Sequence, residues 1–418
     1  MPAVNKQYPR LDLKKWSFMF LIGMALTIVG AVFLLKGWKP GLAIILTGTG
    51  FISVSAIISV KQVIKDLAPE YGKHIIDILH KRYGLGRGPK IVVIGGGTGL
   101  ATLLRGLKEY TGNLTAIVTV ADDGGSSGRL RKEMGVLPPG DIRNCLVALA
   151  NSEPLMASLF EYRFPEGAPM GLEGHTFGNL FIATMSAITG DFEEAVKESS
   201  RVLAVRGQVL PSTLENVVLT ARCQGGNIVH GESTIGKSET RIEKVFLQPE
   251  NPRALPEALD SIAEADAIIL GPGSLYTSVI PNLLVEEIAG AIRKSKAPKI
   301  YVCNVMTQPG ETDSFTAADH VKAIMDHAGK QIVDYVLVNS GKVPMKLAEK
   351  YSREGAYPVD VDKENLSTLE IKVIEKDLIS NLDYARHDPL RLAEAVLRII
   401  SDSSNSLINK ANSWYRDL

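Results

Sequence analysis

The sequence has little cysteine and no net charge. Cys145, Cys223 and Cys303 stand far apart in 418 residues. They form no C-x-x-C pair and no zinc-ligand spacing, which argues against a disulfide framework or a zinc site. They read as buried apolar residues of a chain folded in a reducing compartment. The seven histidines show no H-E-x-x-H spacing. Lys plus Arg equals Asp plus Glu at 46 each, so no overall field draws the chain to nucleic acid, and none is expected as a partner. Internal repeats and low-complexity tracts are missing too. What remains is an ordinary globular composition, 22% charged and 45% apolar, long enough for one large or two ordinary domains.

Against that background two uncharged runs stand out near the N-terminus. Trp16 to Leu35 is followed by the turn Lys36-Gly37-Trp38-Lys39-Pro40 and then by Gly41 to Val60. Each has the length of a helix that crosses a bilayer core of about 30 Å. Lys6, Arg10, Lys14 and Lys15 precede the pair and Lys61 and Lys65 follow it, so the positive-inside rule puts both outer ends in the cytoplasm. A signal peptide would have a shorter apolar core and a small-residue cleavage site. A buried soluble pair would show a polar stripe. The expectation is a transmembrane hairpin over 1–60 in the inner or plasma membrane, a multi-pass anchor with the main domain cytoplasmic. A juxtamembrane helix and linker over 61–89 should follow, ending in Gly84-Leu85-Gly86-Arg87-Gly88-Pro89. The main domain should span 90–405, with a tail over 406–418.

From Lys90 onward short β-branched runs alternate with longer amphipathic stretches. Strands are expected at Ile91–Ile94, Leu114–Val120, Ala267–Leu270, Lys299–Val302 and Tyr335–Val338. Helices are expected at Leu100–Tyr110, Ile142–Ala150, Asn179–Ile188, Pro256–Ala263, Leu283–Ser295 and Thr316–His327. Fully apolar strands separated by helices predict an α/β fold, a Rossmann-like, mainly parallel sheet with helices on both faces. Arg201 to Val245 alternates polar and apolar residues between Gly turns, and reads as a small antiparallel insertion at the sheet edge.

Ligands of open parallel sheets bind beyond the carboxyl ends of the strands, and the unusual residues fall there. Gly95-Gly96-Gly97-Thr98-Gly99 follows the first strand, where glycines admit a phosphate to backbone N–H groups and to a helix N-terminus. The loop is neither G-x-G-x-x-G nor a Walker P-loop, so no NAD is expected; a tight strand-to-helix turn explains some of its glycines. The next loop is Asp122-Asp123-Gly124-Gly125-Ser126-Ser127-Gly128-Arg129. Its two carboxylates suit Mg²⁺ or ribose hydroxyls, its Gly/Ser run supplies donors, and Arg129 suits a phosphate. A solvated Asx turn with a helix cap is the plain alternative.

In Pro139-Gly140-Asp141-Ile142-Arg143-Asn144, Asp141 reads as an N-cap, while Arg143 and Asn144 are ligand candidates. Gly174-His175-Thr176-Phe177-Gly178-Asn179 opens another helix; His175 is a candidate acid or base, although a lone His is more often structural. Gly271-Pro272-Gly273-Ser274 and Asn304–Thr312, with Thr307 and Gln308, repeat the logic of the first loop.

GGGTGL, VTVADDGGSSGRLR, LPPGDIRNCL, HTFGNL, LGPGSLYTS and NVMTQPGETD together resemble the YvcK/CofD family, with the likeness running from Lys90 to about Ile400. The chain is more similar to the YvcK branch, the gluconeogenesis factors, than to the 2-phospho-L-lactate transferase CofD. The resemblance implies a UDP-sugar ligand, notably UDP-N-acetylglucosamine, and a role in cell shape and envelope synthesis. It implies envelope-synthesis proteins as partners, with a homo-oligomer left open. Tyr351 and Arg386 match the family's UDP-sugar positions; spacing alone would make Tyr351 an ordinary helix residue and Arg386 a surface cation. The CofD side implies instead a Mg²⁺-dependent transferase. The N-terminal hairpin departs from the soluble relatives of the family.

Overall fold

The computed structural model describes residues 14–67, 85–151, 154–169, 171–237, 240–380 and 385–403. The chain divides into two compact units, Met1–Gly84 and Leu85–Leu418. Lys6, Arg10, most of the expected juxtamembrane helix and the tail 406–418 lie outside the described residues.

The first unit contains two helices, Lys14–Leu35 and Gly41–Leu67. Gly37, with φ of 79°, takes the left-handed conformation of their turn, and Phe33 packs edge-on against Trp38. The seam between the helices is made of small residues. A Cβ on Gly30 would stand 2.8 Å from the Gly41 carbonyl oxygen, and one on Gly23 2.9 Å from that of Gly48. Large apolar side chains point the other way, with Ile28 62% and Leu46 64% exposed. The apolar stretches described are Met19–Leu35 and Gly41–Ser55, shorter than the runs expected from sequence. Among the described residues no single helix is long and apolar enough to cross a membrane.

The second unit is the expected α/β fold. Its strands are β1 (Ile91–Gly95), β2 (Leu114–Val118), β3 (Gln208–Pro211), β4 (Val218–Cys223), β5 (Ile228–His230), β6 (Ile242–Gln248), β7 (Ala267–Leu270), β8 (Lys299–Val302), β9 (Tyr335–Asn339) and β10 (Lys372–Lys376). Seven form one sheet in the order β10-β9-β8-β7-β1-β2-β3, and β5-β4-β6 form a second. All pairings in the large sheet are parallel; those of the small one are antiparallel. β1, β2, β7 and β8 are buried along their whole length, which is why they read as largely apolar runs, broken only by Thr115 in β2 and Lys299 at the start of β8.

Three expectations need correction. The stretch from Arg201 is not antiparallel throughout, because Gln208–Pro211 pairs in parallel with β2 at the sheet edge. The expected helix Leu283–Ser295 is broken into Ile280–Leu283 and Glu286–Lys294, preceded by a wide turn at Leu275–Val279. Two helices start earlier than expected, at Gly97 and Gly140, and the helix Gly125–Met134 is not among those expected. The three cysteines are free and buried, as expected.

Candidate functional site

From β1 the chain runs outward in one direction to β2 and β3, and later from β7 in the other direction to β8, β9 and β10. The order therefore reverses between β1 and β7, the point at which open α/β sheets form their ligand crevice. The loops after these two strands are built against each other. The Gly271 N–H donates to the Ile94 carbonyl at 2.8 Å. Buried Asn282 donates its amide to the carbonyls of Gly95 and Ser278 at 3.0 and 2.8 Å. A Cβ on Gly99 would stand 2.7 Å from the Pro272 carbonyl oxygen, so this glycine is required by close backbone approach. Gly97 has φ of 67°, a turn that a side chain resists, and it opens the helix Gly97–Leu107. Thr98 is exposed at that N-terminus, while Gly96 is buried.

The β2 loop leads into the helix Gly125–Met134. Asp122 accepts from the Gly124 N–H at 2.8 Å, and Asp123 from the Ser233 N–H at 2.9 Å. The second bond ties this loop to the segment after β5. Ser127 accepts from the Gly140 N–H at 3.1 Å, which brings the Pro139–Asn144 segment alongside. Asp141 is not the N-cap expected from sequence: Pro139 holds that position. The Asp141 carboxyl turns instead toward β1, where it accepts from the Gly97 N–H and lies 2.5 Å from where a Cβ of Gly96 would be.

Carboxylates therefore crowd this edge. Asp141 retains some exposed surface but is ringed by protein. Desolvation first, and the nearby Asp122 second, push its carboxyl up to about 7. Burial raises Asp122 as well. Glu232, carried in by the insertion, is pushed up to about 8 by burial and then by Asp122 and Asp141. Glu311 is pushed up to about 7 by burial. Nothing in the sequence pattern singles out Glu232, whose place depends on the insertion folding back over the β2 loop.

The remaining residues join in three groups. Ser126 hydrogen-bonds His175 Nδ1 at 2.9 Å and accepts from Asn179 Nδ2 at 3.1 Å. All three are buried, and burial lowers the pKa of His175, so His175 is a neutral brace for Ser126. The Arg143 guanidinium donates to Asn144 Oδ1 at 2.5 Å, and burial lowers its pKa. Arg129 is directed to the carbonyl of Glu173.

In the second group, Ser274 donates to Gln308 Oε1 at 2.7 Å, and Gln308 Nε2 donates to Glu311 at 2.8 Å. Glu311 also accepts from Thr277 Oγ1 at 2.9 Å and from the Tyr276 N–H at 3.2 Å. Thr307 is buried, its hydroxyl accepting from the Tyr357 N–H at 2.9 Å, so it shapes this loop from within. Gly273 lies beside the Gly96 carbonyl.

The third group holds Tyr351, which packs half-buried on Val305, Met306, Ile379 and Ala385. Arg386 is exposed beside Ala385, and its carbonyl accepts from the Ser380 N–H at 2.8 Å. Tyr351 and Arg386 thus follow β9 and β10, on the same carboxyl edge as the glycine loops. Exposed Gly125, with φ of 45°, marks the rim at the second loop.

The family model described as 2-phospho-L-lactate transferase CofD matches residues 91–379. The chain belongs to this family. Similar relatives include the gluconeogenesis factor of Bacillus subtilis, 52% identical over 319 residues, covering 76% of this chain and 100% of that protein. A Nostoc sp. relative, provisionally named a gluconeogenesis factor, is 48% identical over 416 residues, covering 93% of this chain and 91% of that protein. A crystal structure of a UPF0052-family protein from Bacillus halodurans is 51% identical, with a TM-score of 0.71 over 73% of this chain and 98% of that one. Since the second unit holds about four fifths of the chain, the Nostoc match reaches into the first unit. The Bacillus subtilis match is no longer than the second unit.

Proposed function

We propose that this chain is a UDP-sugar-binding regulator, anchored at the inner face of a membrane, that couples supply of a sugar nucleotide such as UDP-N-acetylglucosamine to envelope synthesis and cell shape. The observation that carries this reading is the junction of the β1 and β7 glycine loops at the reversal of strand order. It offers backbone donors and the N-terminus of Gly97–Leu107 to a diphosphate. Tyr351 and Arg386, on the same edge, supply an aromatic face and a guanidinium. Gly124, Gly125, Ser126, Ser127, Arg129, Arg143, Asn144, Asn179, Gly271, Gly273, Ser274, Thr307 and Gln308 complete the proposed ligand shell, some by contact and some by bracing. The first unit supports the anchor, because glycine fills its seam while large apolar side chains face outward. Helices packed in lipid use small residues in that way. Calorimetry of the detergent-solubilised full chain against UDP-N-acetylglucosamine should show saturable binding; a folded chain that binds nothing at millimolar ligand overturns the proposal.

The carboxylates of the β2 loop favour a second reading, a Mg²⁺-dependent transferase of the kind the family model is named for. Among the described residues no group of three or more His, Cys, Asp or Glu is arranged to hold a metal ion. Mg²⁺ bound with phosphates needs only one or two carboxylates, and Asp122, Asp141 and Glu232, raised first by burial and then by the charge of neighbouring carboxylates, stand close enough together for a cation to relieve them. Asp122 and Asp123 would hold it, and it would offset charge on a transferred phosphoryl group. Turnover of a nucleotide-diphosphate donor that requires Mg²⁺ and is lost in Asp123→Asn supports this reading; no turnover with any such donor removes it.

A further inference from the structure

The segment after β7 carries aliphatic hydroxyls on Ser274, Thr277 and Ser278. Two of them have protein partners, since Ser274 donates to Gln308 at 2.7 Å and Thr277 to Glu311 at 2.9 Å. Ser278 is different. It is only 9% exposed, yet its hydroxyl makes no hydrogen bond among the described residues. A buried hydroxyl without a partner carries an uncompensated desolvation penalty, and such groups are uncommon in native chains.

The backbone around Ser278 is firmly held. Leu275–Val279 is the wide turn noted above, in which the Ser274 carbonyl accepts from the Ser278 N–H at 2.9 Å and from the Val279 N–H at 3.0 Å. Turns widened in this way occur frequently at functional sites. The Ser278 carbonyl accepts from Asn282, whose amide also reaches the Gly95 carbonyl. Ser278 is therefore tied to the β1 loop as well as to its own. A Cβ on Gly97 would stand 3.8 Å from Ser278 Oγ, and one on Gly273 would stand at the same distance. The hydroxyl thus borders both glycine loops, beside the N-terminus of Gly97–Leu107. Asp141 borders Gly97 too, but its carboxyl is engaged by the Gly97 N–H.

We propose that Ser278 is a ligand contact, its hydroxyl donating to a phosphate oxygen of the nucleotide where the two glycine loops meet. This rests on the diphosphate reading given above and adds to it a side-chain donor that no protein group occupies. A phosphate oxygen only accepts, so it matches a hydroxyl whose proton is uncommitted. Because the backbone of Ser278 is already fixed, little freedom is lost when the contact forms.

The test is calorimetric titration of the full chain in detergent with UDP-N-acetylglucosamine and with inorganic pyrophosphate, repeated in Ser278→Ala. The variant should weaken binding about tenfold or more. Without ligand its melting temperature should not fall, because no protein contact is lost. A drop of more than about 2 °C in the unliganded variant makes the hydroxyl structural and overturns the proposal. If UDP-N-acetylglucosamine binds and Ser278→Ala leaves its affinity within about twofold, the contact falls and the sugar-nucleotide reading stands. If pyrophosphate alone binds and Ser278→Ala weakens it, the contact stands and the sugar-nucleotide reading falls. If neither probe binds the folded chain, or pyrophosphate alone binds and the variant leaves it unchanged, both fall.

Discussion

The two units use glycine in opposite ways. In the first, Gly23, Gly30, Gly41 and Gly48 lie at the interface between the helices, where the absence of a side chain lets two backbones touch. In the second, Gly96, Gly97, Gly99 and Gly273 lie at the mouth of a cleft, where the same absence leaves backbone donors uncovered. Apolar residues are reversed as well. Leucine and isoleucine face outward from the seam of the hairpin, but they fill the interior of the α/β unit. In water, burying glycine and exposing leucine forgoes the hydrophobic term, and this contrast is what the proposed anchor rests on.

The most direct way to break this contrast is to charge the outward face of the hairpin. Ile28→Lys with Leu46→Lys should move the chain from the membrane fraction to the soluble fraction, since each lysine costs about 3 kcal/mol at the centre of a membrane helix. If these positions face water, as their exposure in isolation would allow, fractionation will not change.

Next in size is the mouth of the cleft. Gly99→Val drives a side chain into the Pro272 carbonyl and should weaken UDP-N-acetylglucosamine binding about 100-fold, or roughly 2.7 kcal/mol. Gly30→Val, an equal insult to the seam, should leave the affinity unchanged.

The crowded carboxylates predict a pH dependence. Because the folded-state pKa of Asp141 is raised to about 7, its contribution to stability is full below the ordinary carboxylate range near pH 4. It is lost as pH rises to 7. Asp141→Asn should flatten the stability profile between about pH 4 and 7 and raise stability at pH 8 by roughly 1–3 kcal/mol, measured by urea unfolding. A stability that climbs with pH across this window in the wild-type chain contradicts the assignment.

The smallest effects should come from the far side of the cleft. Tyr351→Ala and Arg386→Ala should each weaken the nucleotide about tenfold, near 1.4 kcal/mol. Tyr351 is half-buried and Arg386 exposed, so the melting temperature should move little. Affinity unchanged in both variants removes them from the site.

Much of the parallel sheet is legible in the sequence, because a strand buried on both faces is mostly apolar along its length. β10 escapes that logic. Lys372–Lys376 is an edge strand with both lysines exposed, and its hydrogen-bonded neighbour, not its own pattern, makes it a strand. The helices beginning at Gly97, Gly125 and Gly140 start inside what reads as loop, since glycine is a poor helix former and the close packing that requires it is tertiary. Asp141 illustrates the same limit. One turn of sequence makes it look like a cap, and only the approach of the β1 loop gives its carboxyl another partner. Tyr351 and Arg386 carry no local signal at all. They are legible by family resemblance, and the fold accounts for their position by sending β9 and β10 the same way as β1.

Leu85–Gly88 lies at the amino-terminal edge of the sheet, clipped there by Asn113, whose amide donates to the carbonyls of Gly86 and Gly88 at 3.1 and 2.7 Å. The glycine loops occupy the opposite edge. A second unit cut just ahead of Leu85 and coupled to a solid support through that end would therefore present the glycine loops outward, so the natural point of attachment doubles as a handle for building a sensor of the proposed ligand.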